Sequence, residues 1–221
     1  MNTKESLPTY QEALTNLRGN LGEMLPKEAL DVFDNDAQNL QKEHQSILKV
    51  EVGDKASDFS LSNASDKTIT LSKLLQNHKV VLVFYRGTWC PYCNLQLAHY
   101  QNSLDEIHAL GAKLVAISPQ TPDESLSIKE KNELKFEVLS DNGNIVARNY
   151  TTVFKNGDAP VNTMTELGFD FDAHYSDDSR ELPVPAVFVI NQDGTIAFAK
   201  AEGGDYRNRV EVSEIINSLK S

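Results

Sequence analysis

The chain has 221 residues, 40% of them apolar and 24% charged, which suits one globular domain with extensions and enough apolar side chains for a core. Its 21 basic and 32 acidic side chains leave a net charge of −11, arguing against nucleic acid or an anionic membrane as the main partner, because both recruit Lys/Arg surfaces. The opening MNTKESLPTYQEAL shows no secretory pattern, and no apolar run is long enough to cross a bilayer, so a cytoplasmic setting is expected. In such a reducing compartment a close pair of cysteines is expected to be catalytic or metal-binding rather than a structural staple.

Residues up to about Val50 read as a helical hairpin. Tyr10, Leu14, Leu17, Leu21 and Leu25 mark one helical face, and Pro26 suits the first turn of a second helix carrying Ala29, Leu30, Phe33, Ala37 and Leu40. Its expected role is packing or a dimer contact. From Gly53 the pattern changes to short strands joined by a polar turn, then a helix near Ser72. KVVLVFY, Lys79 to Tyr85, is a continuous β-branched and aromatic run, as expected of a strand buried on both faces. Leu95, Ala98, Leu104, Ile107 and Leu110 follow at near-helical spacing.

AKLVAISP and LKFEVLSD read as further strands, with a short helix at about Ser125 to Leu134 between them. The β-α-β-α-β alternation predicts an α/β fold whose sheet contains parallel strands joined by helical crossovers. Tyr150 to Glu181, with Gly157, Pro160 and Gly168, is expected to be a long loop or insertion over one edge. PAVFVINQDGTIAFA predicts a strand, a turn at Asn191 to Gly194 and a second strand, and VEVSEIINSLK a closing amphipathic helix.

Both cysteines of the chain, Cys90 and Cys93, lie in VVLVFYRGTWCPYC, where a buried strand gives way to a helix. A helix N-terminus offers unpaired N–H groups and the positive end of the helix dipole, and both favour the reactive thiolate. Pro91 fits the first helical turn. Cys93, within one turn of Cys90, allows a dithiol–disulfide cycle without large motion. A zinc site needs two further ligands, and the five histidines are scattered; inert buried thiols are the other alternative. Redox chemistry is the reading adopted, with no metal and no cofactor, since no glycine-rich phosphate loop is present.

Cys90 is expected to attack, being first at the strand-to-helix junction, with Cys93 closing the disulfide. Thr88 is a candidate to hydrogen-bond the thiolate or its substrate, Arg86 to stabilise the anion, and Trp89 to shield the loop. Pro185 opens a buried strand about ninety residues on. A cis Val184–Pro185 bond there would present the Val184 peptide to a substrate. Tyr206, Arg207 and Arg209 form a basic cluster able to face the site.

These segments, with VGDKASDFSLSNASDKTITLSKLL, LVAISPQTPDESLSIKEKN, FEVLSD and PAVFVINQDGTI, resemble the thioredoxin fold and, within it, the alkyl hydroperoxide reductase/thiol-specific antioxidant family, over about Val52 to Ser221. The resemblance implies a central mixed β-sheet flanked by helices at 51–221, with the helical extension at 1–50. It also implies a peroxiredoxin-type peroxidase that reduces hydroperoxides and is re-reduced by thioredoxin, glutaredoxin or glutathione. A homodimer is compatible with it. The family's Pro-x-x-x-Thr-x-x-Cys motif places Arg86 where the Pro stands, Cys90 where the Thr stands and Cys93 at the peroxidatic position. The thioredoxin register instead makes Cys90 the nucleophile. The family's arginine before the FVI strand is replaced by Val184 and Pro185. A thiol–disulfide oxidoreductase and a non-enzymatic redox sensor are the competing functions.

Overall fold

The computed structural model describes residues 8–45 and 47–221; the remainder of the expected 1–50 extension, 1–7 and 46, lies outside them. Two helices open the described chain, α1 (Tyr10–Met24) and α2 (Lys27–Glu43). Thr9 and Glu12 form a reciprocal capping box at the start of α1. Two further N–H groups of that first turn, those of Tyr10 and Gln11, are taken up by the Glu211 carboxylate. The hairpin is thus tied to the C-terminal part of the chain at its first turn.

The central sheet has seven strands in the order β2-β1-β5-β4-β3-β8-β9. These are β1 (Ser60–Asn63), β2 (Thr68–Thr70), β3 (Lys79–Phe84), β4 (Ala112–Ser118), β5 (Glu137–Ser140), β8 (Ala186–Ile190) and β9 (Ile196–Lys200). β3, β4 and β5 run parallel, while β8, β9, β1 and β2 pair antiparallel, so the sheet is mixed. Helices α3 (Leu71–Leu75), α4 (Pro91–Asn102), α5 (Leu104–Ala109), α6 (Pro122–Lys131) and α8 (Val212–Lys220) complete the layers. The continuous helix expected after the cysteines is divided at Ser103, which caps α4 and starts α5.

Alternation along β3 divides its side chains between two apolar layers. Val81 and Val83 pack with Leu97, Ile107 and Ile215 of the helices on one face. Val80, Leu82 and Phe84 pack with Tyr150 and Phe188 on the other. The turn at Asn191–Gly194 forms as expected, with Gly194 at φ 82° and the Asn191 N–H on Thr195 O at 2.9 Å.

Two expectations are corrected. Tyr150 to Glu181 is not a long loop: it contains β6 (Val153–Lys155) and α7 (Asp158–Glu166). It leads into β7 (Glu181–Pro183), which pairs with β6 as a separate two-stranded sheet. The Val184–Pro185 bond is trans, like every peptide bond among the described residues. A third apolar cluster joins the additions to the main body: Ala37 and Leu40 of α2 pack with Val161 and Met164 of α7, Phe171 and Tyr206. Gly204 allows this approach, because a Cβ there would overlap the Leu40 carbonyl oxygen.

Candidate active site

β3 ends at Phe84 and α4 begins at Pro91, so Cys90 is the N-cap of α4 and Cys93 lies in its first turn. Pro91 takes the first helical position, where no N–H partner is required. The Asn94 side chain braces the loop from within the helix, donating to the carbonyls of Thr88 at 2.7 Å and Cys90 at 3.0 Å. Both sulfurs belong to buried residues and are free thiols.

The surroundings of the two sulfurs differ. Arg209, itself buried, donates from Nη2 to Cys93 Sγ at 3.4 Å. Its guanidinium is held there by Gln96 Oε1, 3.0 Å from Nε, and by the carbonyls of Asn208 and Tyr206. Burial opposes ionisation of Cys93, but the Cys90 thiol, Arg209 and the Arg86 N–H and guanidinium together outweigh it and hold the thiol well below the usual cysteine range. Cys90 is pushed up, first by burial, then by its hydrogen bond to Cys93 and that neighbour's charge, against the pull of Arg86 and Arg209. Cys93 is therefore the more acidic sulfur of the pair, with the Arg209 guanidinium hydrogen-bonded to it.

Arg86 is 2% exposed. Its guanidinium lies over the rings of Tyr206, 3.8 Å from the centroid, and Trp89, 4.9 Å away. Trp89 packs on Phe169 and Phe171, and its Nε1 donates to Tyr175 Oη at 2.7 Å. Tyr175 in turn donates to the Arg86 carbonyl at 3.1 Å. The segment expected to be a loop thus holds the redox loop from above. Gly87 permits this tight packing, since a Cβ there would meet Trp89 Nε1 at 2.6 Å.

Thr88 is placed differently from its expected role. Its hydroxyl donates to Glu124 Oε2 at 3.2 Å and accepts from Gln120 Nε2 at 3.3 Å, so it braces the loop against α6. Pro185 is buried at the start of β8. The Val184 peptide is not offered to a substrate: its N–H donates to Thr152 O at 2.8 Å and its carbonyl accepts from Thr151 Oγ1 at 3.0 Å. Of the basic cluster, Arg209 and Tyr206 reach the site, whereas Arg207 pairs with Asp205 and Asp34. Tyr175 was missed by sequence reading; its only signal was an aromatic residue in a segment without periodicity.

A cleft of about 320 Å³ opens above the loop, with Cys90 and Arg86 among its lining residues. No group of three or more His, Cys, Asp or Glu side chains able to hold a metal occurs among the described residues.

Fold and site together define a peroxiredoxin-type, thioredoxin-fold protein with its thiols at a strand-to-helix junction. The AhpC/TSA family model matches residues 52–199, and the chain belongs to that family. It is 34% identical over 99 residues to the bcp peroxiredoxin of Haemophilus influenzae, covering 45% of this chain and 63% of that one. To the chloroplastic peroxiredoxin Q of Populus jackii it is 31% identical over 104 residues, 47% of this chain and 48% of the relative. The chain therefore spans about half to three-fifths of the length of these curated relatives. The fold is shared with the peroxidoxin BcpB of Mycobacterium tuberculosis, at TM-score 0.60 and 22% identity over 77% of this chain and 97% of that one. It is also shared with a cysteine-to-serine mutant of Xylella fastidiosa PrxQ, at TM-score 0.60 and 18% identity over 77% and 96%.

Proposed function

We propose that the chain is a thiol peroxidase in which Cys93 attacks the hydroperoxide and Cys90 resolves the product. The observation that carries this reading is the buried Arg209 guanidinium, which donates to Cys93 Sγ at 3.4 Å, and the lowering of the Cys93 thiol agrees with it. The sequence favoured Cys90 as nucleophile from its position; the charge distribution favours Cys93, in agreement with the peroxidase register. Arg209 supplies the cation that the family places before the FVI strand, where this chain has Val184 and Pro185.

In the proposed cycle the peroxide displaces the Cys90 S–H from Cys93, and the thiolate attacks the terminal peroxide oxygen. The O–O bond breaks, Cys93 becomes a sulfenic acid, and the leaving alkoxide takes the Cys90 proton to give an alcohol. The Cys90 thiolate then attacks the Cys93 sulfur, expelling hydroxide that takes a proton from solvent and leaves as water, and the disulfide closes within one helical turn. An external thiol reductant, one thioredoxin-type dithiol or two molecules of glutathione, would restore both thiols in a reducing cytoplasm.

A second reading, thiol–disulfide exchange on protein or glutathione disulfides, is favoured by the contact of Cys90 with the open cleft. Stopped-flow fluorescence of Trp89, the only tryptophan, separates the two. Oxidation by hydrogen peroxide or cumene hydroperoxide is expected far faster than that of free cysteine. Cys90→Ser is expected to keep a trappable sulfenic acid and Cys93→Ser to lose it. Oxidation at the free-thiol rate, with fast reduction of disulfides through Cys90, would establish the exchange reading.

A further inference from the structure

The cleft over the redox loop is walled by the additions to the core fold: Leu25 and Phe33 of the hairpin on one side, Met164 and Phe169 on the other. Its volume, about 320 Å³, falls at the lower end of small-molecule pockets, which run from ~300 to 1,000 Å³. Arg86 and Asp34 are the charged residues in its otherwise largely apolar lining, and Arg86 is the cation.

Among the described residues Arg86 makes no ion pair within 4 Å; Asp36 feels its charge without touching it. Its sole side-chain hydrogen bond is a long one, Nη2 to Asn156 Oδ1 at 3.4 Å, and Arg86 Nε and the buried Asn156 Nδ2 have no partner. Both orphans are donors, and of the two residues Arg86 is the one that lines the cleft. A buried N–H donor without a partner is costly, and a group that only accepts hydrogen bonds would relieve that deficit at Arg86. Asp34, the acidic residue of the cleft lining, is already paired with Arg18 at 3.1 Å and Arg207 at 2.5 Å. Its charge is thus compensated, and burial raises the pKa of Asp36, the other carboxyl group near Arg86.

We propose that this cleft is a binding site for a linear aliphatic carboxylate, with its head on Arg86 and its hydrocarbon chain between the hairpin and α7. The hairpin and the 158–171 segment then have a shared purpose, to build an apolar channel ending at a fixed cation. The site lies against Cys90, so an occupied cleft would cover the thiol pair. The binding claim stands independently of which reaction the thiols perform.

Titration of the reduced protein with hexanoate, octanoate and decanoate, followed by Trp89 fluorescence, tests it. Affinity is expected to rise about fourfold per methylene, as buried CH₂ groups contribute in other apolar sites. Decanoate is expected to bind at least tenfold tighter than decanol, which has the same chain length without the charge. Arg86→Met should abolish that preference while decanol still binds, which also shows that the variant is folded. Leu25→Asp should weaken both ligands. Equal affinity for decanol and decanoate in the native protein, or no saturable binding of either, overturns the proposal.

Discussion

Arg209 and Cys93 are 116 residues apart in sequence and each accounts for the burial of the other. A lone guanidinium or a lone thiolate in a dry interior carries a large desolvation cost, whereas the hydrogen-bonded pair offsets much of it. Removing the arginine leaves Cys93 with burial opposing its charge, so its pKa must rise, and at a fixed pH less thiolate remains. Arg209→Gln is therefore expected to move the pH profile of Cys93 alkylation upward and to slow its oxidation at pH 7 by roughly tenfold or more. Arg209→Lys keeps the charge but not the fork that spans Gln96 and two carbonyls, so a smaller shift is expected. Measuring alkylation rate against pH for the three proteins checks this; coincident profiles would show that Arg209 only packs.

Among elements, the decisive contact is the one between α2 and the loop after β9. Gly204 passes under Leu40 with no room for a Cβ, and its N–H donates to His44 O at 3.0 Å. The Leu40 carbonyl is backbone and has no flexible end to yield. Gly204→Ala should push the hairpin away and cost about 1–3 kcal/mol, read as a lower urea midpoint, with the Arg86–Tyr206 stack loosened and Trp89 emission altered. An unchanged midpoint would mean that the hairpin is not seated as described. Much at this scale was legible in the sequence: β3 from its unbroken apolar run, the hairpin from its spacing, the thiols from their place at a strand end. α7 was hidden because its punctuation was read as breakage. Pro160 occupies the third helical position, where no intrahelical N–H bond is lost. Gly168, at φ 86°, ends the helix with Phe169 N–H on Met164 O and its own N–H on Thr165 O. The partners of the cysteines were out of reach for a different reason. Which arginine arrives at Cys93, and that Tyr175 holds Trp89, follow from how distant segments pack, and no local pattern records that.

For the whole molecule, the thiol pair couples folding to pH in two opposite ways. Cys93 has its folded pKa depressed below the unfolded value of about 8.5. Its contribution to stability is present above that unfolded value and lost as pH falls through the folded one. Cys90 has its folded pKa raised. Its contribution is complete below the unfolded value and is lost as pH climbs through the folded one. Added together, the two make the reduced pair most stabilising near the unfolded cysteine pKa, about 8.5, with a decline on both sides. The difference in unfolding free energy between the reduced native protein and the Cys90→Ser, Cys93→Ser double variant should therefore pass through a maximum between about pH 6 and about pH 10. Taking the difference cancels the carboxylates and histidines that both proteins share. The disulfide form has no thiol to titrate, so its difference from the same variant should be flat across that range. A flat difference for the reduced protein as well would mean that neither cysteine is shifted, and the asymmetry assigned to the two sulfurs would fall with it.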